Sequence, residues 1–322
     1  MRAAVLTDYT TPPRVAERDE PTDADGRAIV ELRAAALNPA DLAIASGKFP
    51  AGSPPLPYVP GIEGLGTVVS SRRFGAGTRV WASGRGLGVA SDGTFAERFA
   101  AADDVLVEVP EGVGDELAAA LGVVGLAAWM PLSWLVPVQT GESVLVLGAT
   151  GAVGSIAVQA AKILGAGRVV GAGRNEARLR RAQELGADAV VALDGDDLQG
   201  RLAASFDGAP PTLIFDALWG PAVEAAAAVA APGARIAHVG QSAGPAATLA
   251  SAHVRGKQLR IQGYSNFTVP HDALAQGYGE LLGHAAAGKI SIRTETFALD
   301  RIAEAWALQQ RGPDAKLVVV VA

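Results

Sequence analysis

The sequence contains no cysteine among its 322 residues, which excludes disulfides, thiolate nucleophiles and cysteine-built zinc sites outright. Charge is sparse as well. Charged residues make up 19% and apolar ones 49%, the composition of a compact globular protein and not of a disordered one. A clustered basic run is also missing. The 27 Lys and Arg are outnumbered by 33 Asp and Glu, for a net charge of −6, which argues against a nucleic-acid surface. No uninterrupted apolar run reaches the roughly 20 residues a membrane helix needs. The alanine-rich stretch 222–231 stops at Pro232-Gly233. Met1 leads straight into Arg2-Ala3-Ala4-Val5-Leu6, which reads as a strand and not as an apolar signal segment. The absence of cysteine fits a reducing compartment. These readings predict a soluble, cytoplasmic protein without nucleic-acid or membrane partners.

The chain is long enough for two domains, and its patterning changes twice. Up to about residue 118, short apolar stretches at 28–32, 66–69, 79–82 and 105–109 alternate with Pro- and Gly-rich loops at 50–55 and 84–93, as in a small barrel or sandwich. From about 119 to 263, strands and helices alternate. Strands are expected at 143–147, 168–172, 189–193, 212–216, 235–239 and 259–263, with helices at 155–164, 176–185 and 221–230. That rhythm predicts an α/β, doubly wound parallel sheet. From 264 to 322 the rhythm lapses into helices at 273–287 and 302–310 and a strand at 316–321, a tail too short to bury a core alone. The expectation is one domain from 1–118 and 264–322, and a dinucleotide-binding domain from 119–263.

The strand at 143–147 runs into Gly148-Ala149-Thr150-Gly151-Ala152-Val153-Gly154 and then a helix, the setting that gives a glycine turn its meaning. Gly151 admits the pyrophosphate close to the backbone, Gly154 lets helix and strand pack, and the helix N-terminus favours the anion. Ala149, Thr150, Gly151, Ala152 and Val153 are therefore candidate cofactor contacts. An NAD site places an acid about 20 residues further on. Here that position holds Arg174, in Gly173-Arg174-Asn175, with Arg178 one turn later and Glu176 as the first carboxylate. Arginine suits a 2′-phosphate, so NADPH is the expected cofactor, with Gly173, Arg174, Asn175 and Arg178 at its adenosine end. Ligands in such sheets lie beyond strand carboxyl ends, which adds Leu218, Val239, Gly240, Asn266 and Phe267.

Five segments in order resemble the medium-chain dehydrogenase/reductase superfamily, specifically its zinc-free quinone oxidoreductase branch. They are Leu37-Asn38-Pro39-Ala40-Asp41, the stretch Val59-Pro60-Gly61-Ile62-Glu63-Gly64-Leu65-Gly66, Gly93-Thr94-Phe95-Ala96-Glu97, the phosphate turn, and Phe297-Ala298-Leu299 with Lys316. The resemblance implies a GroES-like β-barrel domain from the two ends of the chain, a Rossmann domain inserted in it, an active site in the interdomain cleft, and a homodimer joined near 259–266. Zinc-dependent relatives carry Cys where this chain has Asn38 and His where it has Ile62, so no metal is expected. What remains is hydride transfer from NADPH to a quinone or an α,β-unsaturated carbonyl. The alternatives are an enal or enoyl double-bond reductase, or a low-turnover NADPH-binding redox sensor. Two family hydroxyls are replaced, by Ala43 and Ala127.

Asn38 suits two roles: a hydrogen bond that orients substrate or nicotinamide ribose, and an N-cap ahead of Pro39. Asp41 reads as a helix-start residue, Tyr58 as a buried loop anchor, and Glu63 equally as a cofactor-facing or a turn carboxylate. His238, without a matched Ser or Cys, reads as a core or edge histidine. Trp129 and Trp134 read as core or interface aromatics.

Overall fold

The structure, a computed structural model, describes residues 1–23, 26–49 and 52–321. Pro50 and Ala51, from the loop expected at 50–55, lie outside the described residues.

The N-terminal segment is β-rich. Its elements are β1 (Arg2–Val5), β2 (Arg14–Glu17), β3 (Arg27–Ala36), α1 (Pro39–Ala45), β4 (Glu63–Ser70), β5 (Arg79–Ser83), β6 (Arg98–Ala102), β7 (Leu106–Glu108) and α2 (Asp115–Ala120). β3 is the organising strand. It pairs antiparallel with β4 and with β6, and its alternating burial follows from a period-2 pattern with Glu31 and Arg33 turned outward. Its ladder with β4 shifts register between Leu32 and Ala34, and Gly66 stands where any Cβ would meet Glu31 O at 2.1 Å. α1 begins at Asn38, whose N–H donates to Asp41 Oδ2, the carboxylate arm of a capping box.

The middle segment comprises α3 (Val123–Met130), β8 (Ser143–Leu147), α4 (Ala152–Ile163), β9 (Arg168–Gly173), α5 (Glu176–Glu184), β10 (Ala189–Ala192), α6 (Leu198–Ala204), β11 (Leu213–Asp216), α7 (Gly220–Val229), β12 (Arg235–His238), α8 (Ser251–Gly256) and β13 (Arg260–Gly263). Its six strands form one parallel sheet in the order β10-β9-β8-β11-β12-β13. That is two mononucleotide-binding halves meeting between β8 and β11. Val144, Leu145, Val146 and Leu147 are fully buried, as a strand covered by helices on both faces must be.

The C-terminal segment adds α9 (His271–Ala286), β14 (Thr294–Ala298), α10 (Ile302–Gln310) and β15 (Lys316–Val320). β15 pairs antiparallel with β3 and parallel with β14, so the tail completes the first sheet, whose order is β14-β15-β3-β4-β5-β7 with β6 on β3. Phe297, Leu299, Trp306, Leu317 and Val319 enter the same core as Val30, Leu32 and Phe99.

The chain divides into two compact units, Met1–Val124 with Pro270–Ala286 and Ile292–Ala322, and Gly125–Val269 with Ala287–Ser291. The changes of pattern in the sequence fall at 118/119 and 263/264. The shift at the first has a local cause, because Val123 N–H donates to Glu63 of the first unit. Residues 287–291 join the second unit through Gln159, whose amide exchanges hydrogen bonds with Ser291 O and Ser291 N, each at 2.9 Å.

Candidate functional site

In the second unit, Leu147 ends β8 and the chain turns at Gly148, whose φ of +87° suits glycine. The N–H groups of Gly148 and Ala149 both donate to Ala172 O, which fastens the turn to β9. A Cβ on Gly154 would stand 2.1 Å from Gly148 O, so only glycine lets α4 start this close to the strand. Gly151 is exposed, with nothing nearer its would-be Cβ than Gly148 O at 3.6 Å. Gly151 caps α4 without a side chain. The N–H groups of Ala152, Val153 and Gly154 have no hydrogen-bond partner among the described residues, as the first turn of a helix leaves them. A twelve-residue helix with free N–H groups over an exposed glycine fits a diphosphate.

At the end of β9, Gly173 is buried against Thr150, where a Cβ would meet the Thr150 methyl at 2.4 Å. The next residue, Arg174, is exposed and carries no ion pair among the described residues. Asn175 caps α5, accepting the Arg178 N–H at 3.0 Å, so its side chain serves the helix start. Leu218 lies beside the phosphate turn, 3.2 Å from the would-be Cβ of Gly148. Val239 and Gly240 follow β12, with Val239 N–H donating to Asp216 O at 2.8 Å. Beyond β13, Asn266 Oδ1 accepts from Tyr264 Oη at 2.7 Å, and the Phe267 side chain is 53% exposed. All fourteen candidate cofactor residues thus sit on the carboxyl edge of one parallel sheet.

Asn38 stands in the first unit, inside a buried polar cluster that sequence reasoning missed. Its amide nitrogen donates to Ala36 O at 3.0 Å and Glu63 Oε1 at 2.8 Å, and its oxygen accepts from Lys316 Nζ at 2.5 Å. Lys316 also donates to Leu37 O. Glu63 Oε2 accepts Trp81 Nε1 and Val123 N. Asp41 accepts the N–H groups of Asn38 and Ile62. Burial pushes the Asp41 carboxyl up to about 7, against the pull of those two N–H donors and of Lys316. Burial also raises the Glu63 carboxyl and lowers the Lys316 ammonium, each opposed by the other's charge. Both oxygens of each carboxyl are engaged, Glu63 by three N–H donors and Asp41 by two. Tyr58 is buried as a loop anchor, and its hydroxyl has no partner among the described residues.

A zinc ion does not fit at Asn38 and Ile62. The acceptor oxygen of Asn38 already holds an ammonium, and Ile62 is a buried hydrocarbon. Among the described residues, no group of three His, Cys, Asp or Glu is placed to hold a metal. No helix among them is long and apolar enough to cross a membrane.

Residues 24–111 match the family model described as alcohol dehydrogenase GroES-like domain, and residues 152–277 match the one described as zinc-binding dehydrogenase. The chain belongs to the medium-chain dehydrogenase/reductase superfamily, a family of oxidoreductases built from a GroES-like domain and a Rossmann domain that takes a nicotinamide cofactor. Within it, quinone oxidoreductase-like members are among the relatives. A quinone oxidoreductase-like protein 2 homolog from Nematostella vectensis is 29% identical over 90% of this chain and 80% of its own. An alcohol dehydrogenase from Geobacillus stearothermophilus is 30% identical over 66% of this chain and 70% of its own. A phenolphthiocerol/phthiocerol polyketide synthase from Mycobacterium tuberculosis is 29% identical over 90% of this chain, which spans only 13% of that relative's length. The solved structure of an NAD-dependent alcohol dehydrogenase superposes with a TM-score of 0.87 at 28% identity, covering all of both chains.

Proposed function

We propose that this chain is an NADPH-dependent, metal-free reductase that delivers hydride to a quinone or an α,β-unsaturated carbonyl. The carrying observation is the end of β9, where Arg174, exposed and without an ion pair among the described residues, stands in place of an acid. A carboxylate there would repel a 2′-phosphate, whereas a guanidinium offers it paired N–H donors. Arg178, one helical turn on, reinforces the positive end. The N–H groups of Ala152, Val153 and Gly154 take the diphosphate. Leu218, Val239, Gly240, Asn266 and Phe267 receive the nicotinamide half by backbone and apolar contact. Bound there, the reduced nicotinamide supplies the hydride. Asn38 is 1% exposed and gives both amide hydrogens to Ala36 O and Glu63 Oε1, so it has no donor left for a substrate; it serves as the buried cap of α1 and does not make the hydrogen bond to the reacting groups expected of it. With Ala43 and Ala127 in place of hydroxyl-bearing residues, the proton that accompanies hydride comes from solvent, which quinone reduction tolerates.

NADPH oxidation with 1,4-benzoquinone, 9,10-phenanthrenequinone and a simple enone tests this reading. Turnover with at least one acceptor is expected, with NADPH preferred over NADH. Tight NADPH binding without turnover on any acceptor contradicts it and leaves the redox-sensor alternative. The similarity to a polyketide synthase favours a second reading, reduction of an enal or enoyl thioester double bond. Turnover confined to such substrates would select it.

We further propose a homodimer through β13. This edge strand is exposed along its whole length, and Ile261 stands 38% exposed on it. Trp134 is exposed while Trp129 is core. A cytoplasmic location remains part of the same proposal.

A further inference from the structure

The carboxyl ends of β11 and β12 carry an arrangement that the sequence does not advertise. Asp216 is fully buried, and both of its oxygens are engaged. Oδ1 accepts the N–H groups of Leu218 at 3.0 Å and Trp219 at 2.9 Å. Oδ2 faces His238 Nδ1 at 3.0 Å, across a parallel register that sets Asp216 opposite His238. A carboxylate only accepts, so Nδ1 carries the proton and the ring is fixed in one orientation. The Trp219 ring lies over that imidazole, with centroids 4.2 Å apart and planes tilted by 42°.

The backbone of Trp219 is the unusual part. Its φ of +60° and ψ of −163° fall in a region that is essentially confined to glycine. A tryptophan persists there only because its surroundings over-determine it. Here the Asp216 oxygen holds its N–H and the His238 ring supports its side chain. Strained backbone of this kind clusters at ligand clamps.

We propose that His238, Asp216 and Trp219 form a positioning unit for the nicotinamide half of the cofactor, an inference that rests on the cofactor reading above. The unit touches no reacting atom. It acts through the backbone on either side, since Asp216 fastens Leu218 through Oδ1 and Val239 through its carbonyl. Beside those two points, a Cβ on Gly240 would stand 3.0 Å from Ala217 O, so the two carboxyl ends are in near contact. The strand order weights the effect to one side, although Leu218 also lies beside Gly148 of the phosphate turn. The phosphate turn and Arg174 lie on β8 and β9, whereas this unit lies on β11 and β12, beyond the point where the two halves of the sheet meet.

That one-sidedness is the test. NADPH and 2′,5′-ADP, which lacks the nicotinamide half, are titrated into the wild-type chain and into His238→Ala, His238→Asn and Trp219→Gly by calorimetry. His238→Ala should weaken NADPH by about tenfold, the loss of one good hydrogen bond, while 2′,5′-ADP stays within about twofold. His238→Asn, whose amide N–H takes the place of Nδ1–H, should recover most of the loss. Trp219→Gly, free of backbone strain, should melt no lower than wild type yet bind NADPH several-fold more weakly. It carries the test if His238→Ala does not fold. Equal weakening of NADPH and 2′,5′-ADP means general loosening and overturns the proposal, as does unchanged NADPH binding in all three variants. If wild type binds neither ligand, the cofactor reading fails and takes this inference with it. If wild type binds both and the variants match it, the positioning role alone fails.

Discussion

At the scale of single residues, three side chains decide between readings. Arg174 is exposed and has no ion pair among the described residues, so its replacement should leave the fold intact. Arg174→Ala is expected to lower NADPH preference over NADH by about tenfold or more, measured as the ratio of kcat/KM values, with NADH use barely changed. An unchanged ratio would remove the case for NADPH. Gly154 is the opposite kind of residue. Its would-be Cβ lies 2.1 Å from a backbone carbonyl that cannot move without displacing β8, so Gly154→Ala should abolish cofactor binding and cost about 1–3 kcal/mol in denaturant unfolding. Asp41 gives a pH signature. Its carboxyl titrates near 3.8 when unfolded and about 7 when folded, so the folded state holds the proton that the unfolded state has lost between those values. Its contribution to stability is complete below about pH 4 and is lost as pH rises through about 7. Thermal melts of wild type minus Asp41→Asn should therefore fall in difference from pH 5 to pH 8, whatever the absolute cost of the substitution. A flat difference would place the titrating proton elsewhere.

At the scale of elements, the buried cluster joins β3 and α1, β4, the start of α3, and β15 through Asn38, Glu63 and Lys316. The carboxyl groups of Asp41 and Glu63 and the Lys316 ammonium feel one another's charge without direct contact, all of them at most 4% exposed. Lys316→Met strands the carboxylates and should destabilise the chain by about 3–5 kcal/mol in urea unfolding. Adding Glu63→Gln to it should restore part of that loss, because the uncompensated charge goes with it; additive losses would mean that the two residues are not coupled. Nothing in the sequence reports this cluster. Lys316 reads simply as the polar start of an apolar strand, and its partner Asn38 lies 278 positions away. The Asp216–His238 pair was hidden for a related reason, since it arises from the parallel register of two strands whose spacing shows in no local pattern. Strand β8 shows the contrast. Val144-Leu145-Val146-Leu147 is a continuous apolar run buried on both faces, and its expected limits match the observed ones. The seven residues of α6 escaped notice because periodicity had too little length to show, whereas the equally short α1 was legible through its Asn38-Pro39 cap.

At the scale of the whole molecule, the return of β15 to β3 was legible because a tail of one strand and two helices cannot bury Leu317 and Val319 by itself. The assembly proposed through β13 has its own test. Ile261→Lys on the exposed edge should yield a monomer in analytical ultracentrifugation where wild type sediments as a dimer; a wild-type monomer would end that proposal. The central claim concerns electrons, and it is tested most directly by following NADPH consumption under anaerobic conditions with a quinone, an enone and an enoyl thioester, alone and after treatment with a metal chelator. The account predicts NADPH oxidation with the quinone or the enone, slower oxidation of NADH, and rates that the chelator leaves unchanged. Oxidation that prefers NADH, or that stops when metal is removed, would contradict it.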